Sequence, residues 1–191
     1  MSKTAEEGLV ITVSGPHGSG RSSQAEYLSQ EFGLRYISTG MLFREMAEQR
    51  GLSMEEMSKL AEENCDFDIY LDERAKEESA KGGVVIDATL AAWVATNPDL
   101  KIYLWAEFDD CVQRIAYREG RPLEEVVRET KIRELSEKDR FQKYYQIDID
   151  DLSVYDVVLN TSLFSLEATS QILRKIVMEY KKSNFCSSDC N

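Results

Sequence analysis

A glycine-rich turn near the start of the chain has residue types and spacing suited to binding phosphate. Gly15 and Gly20 stand five positions apart, and Arg21 and Ser22 follow, so the turn fits the pattern G-x-x-x-x-G, a basic residue, then Ser or Thr. In this pattern backbone N–H groups surround a phosphate chain, and the N-terminus of the next helix adds partial positive charge. The residues predicted to bind phosphate are Gly15, Pro16, His17, Gly18, Ser19, Gly20, Arg21, Ser22 and Ser23.

The residues on both sides of this turn have the patterns of a strand and a helix. The run from Val10 to Ser14 is apolar and rich in β-branched residues, and apolar residues recur at helical spacing over 24–32. A plain tight connection between a strand and a helix is the alternative. Arg21 departs from the usual lysine, whose flexible stem reaches the outer phosphates, because a guanidinium is planar and prefers bidentate contacts. The positive charge is therefore kept, but its reach and direction change.

The distribution of charge limits the classes of partner. The net charge is −12, which argues against affinity for a nucleic acid polymer or an anionic membrane. Between residues 118 and 143, however, eight basic residues stand against seven acids. An anionic small molecule would therefore find its positive partners in this segment.

The length and the termini indicate one domain without a targeting segment. A chain of 191 residues suffices for one substantial core, which we expect to span residues 1–182. The first residues are polar, and no apolar run reaches the length of a membrane span, so we expect a cytoplasmic protein. We expect residues 183–191 to be a disordered tail, and Cys186 and Cys190 there lack the further ligands of a zinc site.

Short apolar strands alternate with helical segments along the chain. Five strands are predicted, and this alternation indicates an α/β fold in three layers, a five-stranded parallel sheet with helices on both faces. In such sheets ligands bind beyond the carboxyl ends of the strands. The residues predicted at those ends are Ser14, Ser38, Asp87, Ala106 and Asn160.

Acidic residues supply candidate metal and nucleoside contacts. Asp87 ends a strand beside the phosphate-binding turn, where a carboxylate can orient water around Mg²⁺ while the Ser22 hydroxyl binds the ion directly. A helix cap or turn acid is the alternative for Asp87. Asp68 and Asp72 are four apart on one helix face, so they are candidates for the nucleoside pocket or ordinary surface acids. His17 has no Ser, Cys or acid at recognisable spacing, which favours packing in the loop over a catalytic base.

Four segments together resemble a known family. They are 15–23, 37–45, 116–140 with its Arg-Glu-Gly and Arg133-Glu134 runs, and 145–161. Their order resembles that of the nucleoside monophosphate kinases, and most closely that of the archaeal-type cytidylate kinases, over nearly the whole chain. The resemblance implies a P-loop kinase fold and ATP-dependent phosphoryl transfer to CMP or dCMP, with UMP second. ATP and Mg²⁺ would be the cofactors, small nucleotides the partners, and the chain would act as a monomer.

The resemblance also implies roles for particular residues. Residues 38–82 would form the monophosphate-binding region, in which Thr39 and Arg44 contact the acceptor. Residues 116–146 would form a lid that closes over both nucleotides. The catalytic residues would be Arg21, Arg118, Arg133 and Arg140. Exposed arginines that only make a helix soluble are the alternative for Arg44 and for the lid.

A second departure from the family concerns substrate choice. The family pattern has an arginine facing the acceptor site after the third strand, and Thr89 stands there instead. A threonine has neither the charge nor the forked geometry for a bidentate phosphate contact. Two alternatives therefore remain: another kinase of this fold acting on UMP or AMP, and a nucleotide-binding regulatory protein without turnover. The Asp-Gly-Phe-Pro-Arg run expected of adenylate kinases is missing at Asp87, which weighs against AMP.

Overall fold

The structure is a computed structural model that describes residues 8–185. Strands and helices alternate along the chain. The strands are β1 Val10–Ser14, β2 Arg35–Ser38, β3 Val84–Asp87, β4 Leu100–Trp105 and β5 Val157–Asn160. The helices are α1 Arg21–Phe32, α2 Thr39–Arg50, α3 Met54–Glu63, α4 Asp66–Ala80, α5 Ala91–Val94, α6 Phe108–Glu119, α7 Leu123–Tyr145 and α8 Leu166–Phe185, and a short 3₁₀ turn covers Leu152–Val154.

The five strands form one parallel sheet in the order β2-β3-β1-β4-β5. Ser38 and Val13 both pair with Asp87, and Trp105 pairs with Asn160, so the carboxyl ends of the strands meet at one edge. Since β1 is central, the turn that follows it lies in the middle of this edge. The predicted α/β fold in three layers is confirmed.

Alternate residues of the sheet pack against helices on opposite faces. Ile11 and Val85 belong to a buried cluster with Leu28 of α1 and Leu173 of α8. Val10 and Ile86 instead belong to a cluster with residues of α4 and α5 on the other face. Both faces of the sheet are therefore covered, which explains why its strands read as continuous apolar runs.

Two groups of helices extend beyond the sheet edge. Phe43, Met57 and Leu71 form a separate apolar cluster that joins α2, α3 and α4. Val112 and Val126 join α6 to the start of α7. The later part of α7 packs against α3, so this helix crosses from one group to the other and spans the space above the strand ends.

The local signals explain most of the element boundaries. Ser38 caps α2, and Ser53 with Glu56 forms a capping box at the start of α3. The short helix α5 is not predicted, because four residues are too few to show a period. Helix α8 runs on to Phe185, whose ring contacts Tyr180, so residues 183–185 of the expected tail are helical. The rest of that tail, with Cys186 and Cys190, lies outside the described residues.

Candidate active site

The predicted phosphate-binding turn forms the loop between β1 and α1. Gly15 has a φ of 144°, and a Cβ there would lie 1.9 Å from the carbonyl oxygen of Leu104. Gly18 has a φ of 82°, and its Cβ would lie 2.4 Å from the carbonyl oxygen of Cys111. Both positions therefore require glycine for conformation and for space. The loop is held against β4 and α6 with its backbone at the N-terminus of α1.

A residue after β5 secures the loop from the other side. The Thr161 hydroxyl donates to the carbonyl oxygen of Ser19 at 2.8 Å. Arg114 of α6 donates to the hydroxyl and to the carbonyl oxygen of Thr161, both at 2.9 Å. The guanidinium of Arg114 thus fixes the shape of the loop. This contact joins residues far apart in the sequence, which local patterns do not reveal.

A cavity of about 640 Å³ opens beside the loop. Its walls include the loop residues from Pro16 to Ser23, Gly40 of α2, and apolar side chains such as Met54 and Phe164. Six arginines also line it, and they are Arg21, Arg44, Arg114, Arg118, Arg121 and Arg133. A cavity with a backbone phosphate-binding loop and this many guanidinium groups is suited to a polyanion.

Arg118 at the end of α6 and Arg121 in the turn after it have carboxylate partners within the chain. Arg118 lies 2.6 Å from Glu119, and its side chain is 64% exposed. Arg121 lies 2.8 Å from Glu129 and 3.2 Å from Glu119. The pair of Arg118 and Glu119 is exposed, so a nucleotide phosphate can replace it at small cost, whereas the pair of Arg121 and Glu129 is partly buried.

Arg44 of α2 and Arg133 of α7 both line the cavity, and neither guanidinium has a hydrogen-bond partner among the described residues. Arg133 on α7 is only 14% exposed, its Nε atom has no hydrogen-bond partner in residues 8–185, and the nearest carboxylate oxygen, on Glu129, is 3.9 Å away. Burial lowers the pKa of Arg133, and the charges of Arg44 and Arg21 lower it further, although Glu137 and Glu129 oppose them. A buried, incompletely paired guanidinium is the expected partner of an anionic ligand.

Arg21 points toward the ends of β1 and β3. Its Nε atom lies 2.5 Å from Oδ1 of Asp87, and its Nη1 atom donates to the carbonyl oxygen of Gly15 at 2.8 Å and to the Thr89 hydroxyl at 3.2 Å. Burial alone would raise the pKa of Asp87, but Arg21 and the hydroxyls of Ser22, Tyr36 and Ser38 outweigh burial and hold this pKa below its usual value. Asp87 is therefore an anion inside the protein.

The magnesium prediction can be tested against the donors at this point. No cluster of three or more His, Cys, Asp or Glu suited to a metal occurs within residues 8–185. The Ser22 hydroxyl lines the cavity and interacts with Asp87. One hydroxyl beside one carboxylate fits Mg²⁺ that arrives with a nucleotide, since this ion keeps several waters and takes phosphate oxygens as ligands.

His17 lines the cavity and contacts Glu137 of helix α7 through its ring. Its Nε2 atom lies 3.0 Å from Oε1 of Glu137, and the other carboxylate oxygen accepts from the Thr89 hydroxyl at 3.2 Å. Burial lowers the pKa of His17 more than Glu137 raises it. Because a carboxylate only accepts, Nε2 is the donor in this contact. Burial would raise the pKa of Glu137, but His17 and Arg133 hold it well below the usual value. The sequence does not single out Glu137, because it is one acid among many on α7.

Four of the residues predicted as catalytic or acceptor-binding lie away from the cavity wall, as do Gly15 and Asp87 among the other predicted site residues. Asp68 and Arg140 form a buried ion pair with an Nε to Oδ2 distance of 2.7 Å, and each side chain is 4% exposed. Asp72 is one turn further along α4, and its burial raises its pKa to about 6. Thr39 is the first residue of α2, next to Gly40, which does line the cavity. Nucleotide contacts by these four residues stay predictions.

No helix within residues 8–185 has both the length and the apolar character needed to span a bilayer.

Solved structures with this fold include kinases. A shikimate kinase from Acinetobacter baumannii in complex with shikimate matches with a TM-score of 0.54 at 15% identity, covering 93% of this chain and 97% of that one. An uncharacterised protein from Eubacterium ventriosum matches with a TM-score of 0.65 at 16% identity, covering 89% and 98%. At these identities the likeness establishes the fold alone.

Sequence comparison is more specific. A cytidylate kinase of Staphylothermus marinus is 46% identical over 175 residues, which are 91% of this chain and 99% of that protein. A cytidylate kinase of Archaeoglobus fulgidus is 41% identical over 175 residues, 91% and 97% of the two chains. Residues 10–163 match the cytidylate kinase-like family, and this range includes the phosphate-binding loop, all five strands and every arginine of the cavity. The chain belongs to the cytidylate kinase-like family.

Proposed function

We propose that this protein is a nucleoside monophosphate kinase that transfers the γ-phosphoryl group of ATP to CMP or dCMP. The observation that carries the proposal is the single cavity wall shared by the phosphate-binding loop and six arginines. The cytidylate kinases that cover nearly the whole chain at about 40% identity and above support the choice of substrate.

The loop and α6 form the donor side of the cavity. Backbone N–H groups from Gly15 to Ser23 and the N-terminus of α1 bind the donor phosphates. Ser22 would hold Mg²⁺ directly and Asp87 through water, and the ion would supply positive charge to the donor phosphates. Arg118 exchanges its exposed partner Glu119 for a phosphate oxygen of the donor.

The acceptor side lies between α2 and α7. Arg44 and Arg133 face this space, and Thr39 and Gly40 begin the helix that borders it. Gly40 leaves room for a phosphate close to the backbone, because it has no Cβ. The phosphate of the monophosphate binds to the two guanidinium groups, which have no close partners of their own within the described chain.

The reaction needs little acid–base chemistry from the protein. An oxygen of the acceptor phosphate, already an anion, attacks the γ-phosphorus, and the bond from that phosphorus to the β,γ-bridging oxygen breaks, so that ADP leaves with the electron pair. The protein aligns the two phosphates, neutralises the charge between them and excludes water. His17, already hydrogen-bonded to Glu137, is not required as a base.

The ion pair of Asp68 and Arg140 acts at a distance in this proposal. It ties α7 to α4, and α7 carries Arg133 over the cavity. Direct contact of Arg140 with the transferring group, or of Asp68 with the nucleoside, would require this buried pair to open in the nucleotide complex.

A coupled assay of ADP release against a panel of monophosphates tests the function. With Mg·ATP we expect turnover with CMP and dCMP, weaker turnover with UMP, and none above background with AMP or with water as acceptor. Preference for AMP would favour another kinase of this fold. Measurable ATP binding without turnover on any acceptor would contradict the proposal and favour a regulatory protein, an alternative that Arg21 and Thr89 motivate.

A further inference from the structure

The side chain of Arg21 is held in a position that the sequence pattern does not predict. A lysine at this place in the pattern reaches the outer phosphates of the donor. The guanidinium of Arg21 is fixed instead by Asp87, by the carbonyl oxygen of Gly15 and by the Thr89 hydroxyl. The side chain is only 10% exposed. Because three groups at the ends of β1 and β3 hold it, the donor phosphates cannot draw it out without leaving Asp87 unpaired and buried.

One nitrogen of Arg21 remains available, and it faces α2. The described residues provide no hydrogen-bond partner for Nη2 of Arg21. A Cβ built on Gly40 would lie 3.9 Å from this Nη2 atom and 3.7 Å from Nη1 of Arg44. Two guanidinium groups thus border the same point at the start of α2, and all three residues line the cavity.

The guanidinium groups at this point have N–H donors available for an anion. Asp87 pairs with Arg21, and Glu137 and Glu129 act on Arg133, but within residues 8–185 neither Arg44 nor Arg133 donates a hydrogen bond to a carboxylate. Burial lowers the pKa of Arg133, the charges of Glu137 and Glu129 oppose this shift, and those of Arg44 and Arg21 add to it. A phosphate monoester dianion accepts several N–H donors at once and is suited to these groups.

We propose that Arg21 binds the phosphate of the acceptor nucleotide together with Arg44, and that Thr89 orients the Arg21 guanidinium for this contact. The inference rests on the proposed kinase function and deepens it. Thr89 is suited to this task because its hydroxyl has both a donor and an acceptor role: it accepts from Nη1 of Arg21 and donates to Glu137, each at 3.2 Å. Thr89 is thus a positioning residue, and the two departures from the family pattern, at 21 and 89, form one arrangement.

Equilibrium binding of three ligands separates this role from the donor role. CMP, cytidine and ATP are titrated separately against the wild-type chain and its variants. Cytidine is the matched control, because it lacks only the phosphate. We expect Thr89→Val, which keeps the shape but removes the hydroxyl, to raise the Kd of CMP about tenfold and to leave the Kd values of cytidine and ATP within about twofold. Thr89→Ser keeps the hydroxyl and should retain the wild-type affinity for CMP.

Arg21→Lys gives a stronger form of the same test. The lysine ammonium still pairs with Asp87 but has no second nitrogen that could reach the phosphate at the same time. We therefore expect the Kd of CMP to rise more than tenfold, again without a matching change for cytidine or ATP. A large rise in the Kd of ATP with unchanged CMP binding would return Arg21 to the donor side and overturn the inference. Equal weakening of CMP and cytidine would also overturn it, because the phosphate would not be the group that is recognised.

The two proposals fail in different ways. A wild-type chain that neither binds nor phosphorylates CMP contradicts the proposed function and this inference together. A wild-type chain that phosphorylates CMP, with variants that change only ATP binding, contradicts the inference alone. Thermal unfolding of each variant identifies any loss that comes from misfolding, and the conservative Thr89→Val exchange keeps the test open where Arg21→Lys is too unstable.

Discussion

Helix α7 carries two arginines seven residues apart whose surroundings are opposite. Arg133 borders the cavity, and its nearest carboxylate oxygen is 3.9 Å away. Arg140 is buried, with Asp68 at 2.7 Å and the Ser136 hydroxyl at 2.6 Å. The guanidinium of Arg133 thus lacks close hydrogen-bond partners among the described residues, whereas that of Arg140 is hydrogen-bonded to protein groups.

This contrast separates binding from folding within one helix. A guanidinium that lacks protein partners has its hydrogen bonds available for a ligand, whereas one that is fully paired contributes to the folded state and has nothing left to offer. The part of α7 around Arg133 therefore belongs to the cavity, and the part around Ser136 and Arg140 belongs to the packing of α7 against α3 and α4.

The largest expected effect follows from removing the unsatisfied charge. Arg133→Gln should lower kcat by about 10³, the magnitude of charge clamps on a transferring phosphoryl group. The free energy of unfolding should not fall, since a buried charge without a close partner is lost. Steady-state kinetics with CMP and a urea titration measure the two effects.

Arg128→Gln is the matched control for this variant. Arg128 lies on the same helix, and its side chain is 72% exposed. We expect its kcat to stay within about twofold of the wild-type value, since an exposed charge of this kind contributes little. If Arg133→Gln kept a third or more of the wild-type kcat, the assignment of Arg133 to phosphate binding would be wrong.

The second expected effect concerns the paired arginine. Arg140→Gln leaves the Asp68 carboxylate buried without its cation, which should lower the free energy of unfolding by about 3 kcal/mol or more. In the double variant Asp68→Asn with Arg140→Gln no charge remains, so part of this loss should return. A urea titration of the single and double variants measures both. An Arg140→Gln variant with wild-type stability and a kcat as low as that of Arg133→Gln would show that Arg140 acts in the reaction rather than in folding.

The sequence predicts both arginines as members of one lid. The difference between their surroundings depends on tertiary contacts, which residue spacing does not reveal. Spacing of seven residues places two side chains on nearly the same face of a helix. It does not show which parts of the protein pack against that face. The N-terminal part of α7 contacts α6 and the cavity, whereas the part around Ser136 and Arg140 contacts α3 and α4. Tertiary contacts therefore decide which arginine remains available.

The fold itself is largely predictable, because its signals are local. The strands, the glycine-rich loop, and the caps at Ser38 and Ser53 each depend on a few neighbouring residues. The contact between Arg21 and Thr89 joins residues 68 positions apart, and that between His17 and Glu137 joins residues 120 apart. Nothing in a single sequence links such pairs, although Arg21 and Thr89 can each be recognised as a departure from the family pattern.

A third expected effect lies on the packed side of α7 and depends on pH. Burial raises the pKa of Asp72 to about 6, and the charge of Asp68 adds to this shift while Tyr145 opposes it. The folded chain therefore holds this proton more tightly than the unfolded chain, whose carboxyl titrates near 3.9. Between about pH 4 and pH 6 this group makes the protein less stable as pH rises, and above about pH 6 its contribution is constant.

Asp72→Asn removes this titration. The stability of the variant relative to the wild type should rise with pH by at most about 1.4 kcal/mol per pH unit over that window and then level off. Urea titrations at several pH values measure the difference. Repeating them in high salt is the control, since a buried group is screened far less than surface charges. A difference that did not vary between pH 4 and pH 6 would contradict the burial of Asp72.

The smallest expected effect isolates one hydrogen bond on the packed side. The buried Ser136 hydroxyl accepts from Nη1 of Arg140 at 2.6 Å and donates to the carbonyl oxygen of Ser58 at 3.5 Å. A hydrogen bond to a charged group contributes about 1.5–3 kcal/mol, and alanine regains up to about 0.5 kcal/mol through its higher helix propensity. Ser136→Ala should therefore lower the free energy of unfolding by about 1–2.5 kcal/mol, measured by urea titration.

The control for this change is Ser183→Ala, at an exposed position of α8, which should not lower stability because only helix propensity changes there. Since Ser136 faces α3 rather than the cavity, its replacement should leave kcat within about twofold of the wild-type value at temperatures where the variant is folded. A tenfold lower kcat with an unchanged urea midpoint would mean that the part of α7 around Arg140 takes part in the reaction. The separation between a binding stretch and a folding stretch of this helix would then fail, because the same contacts would serve both.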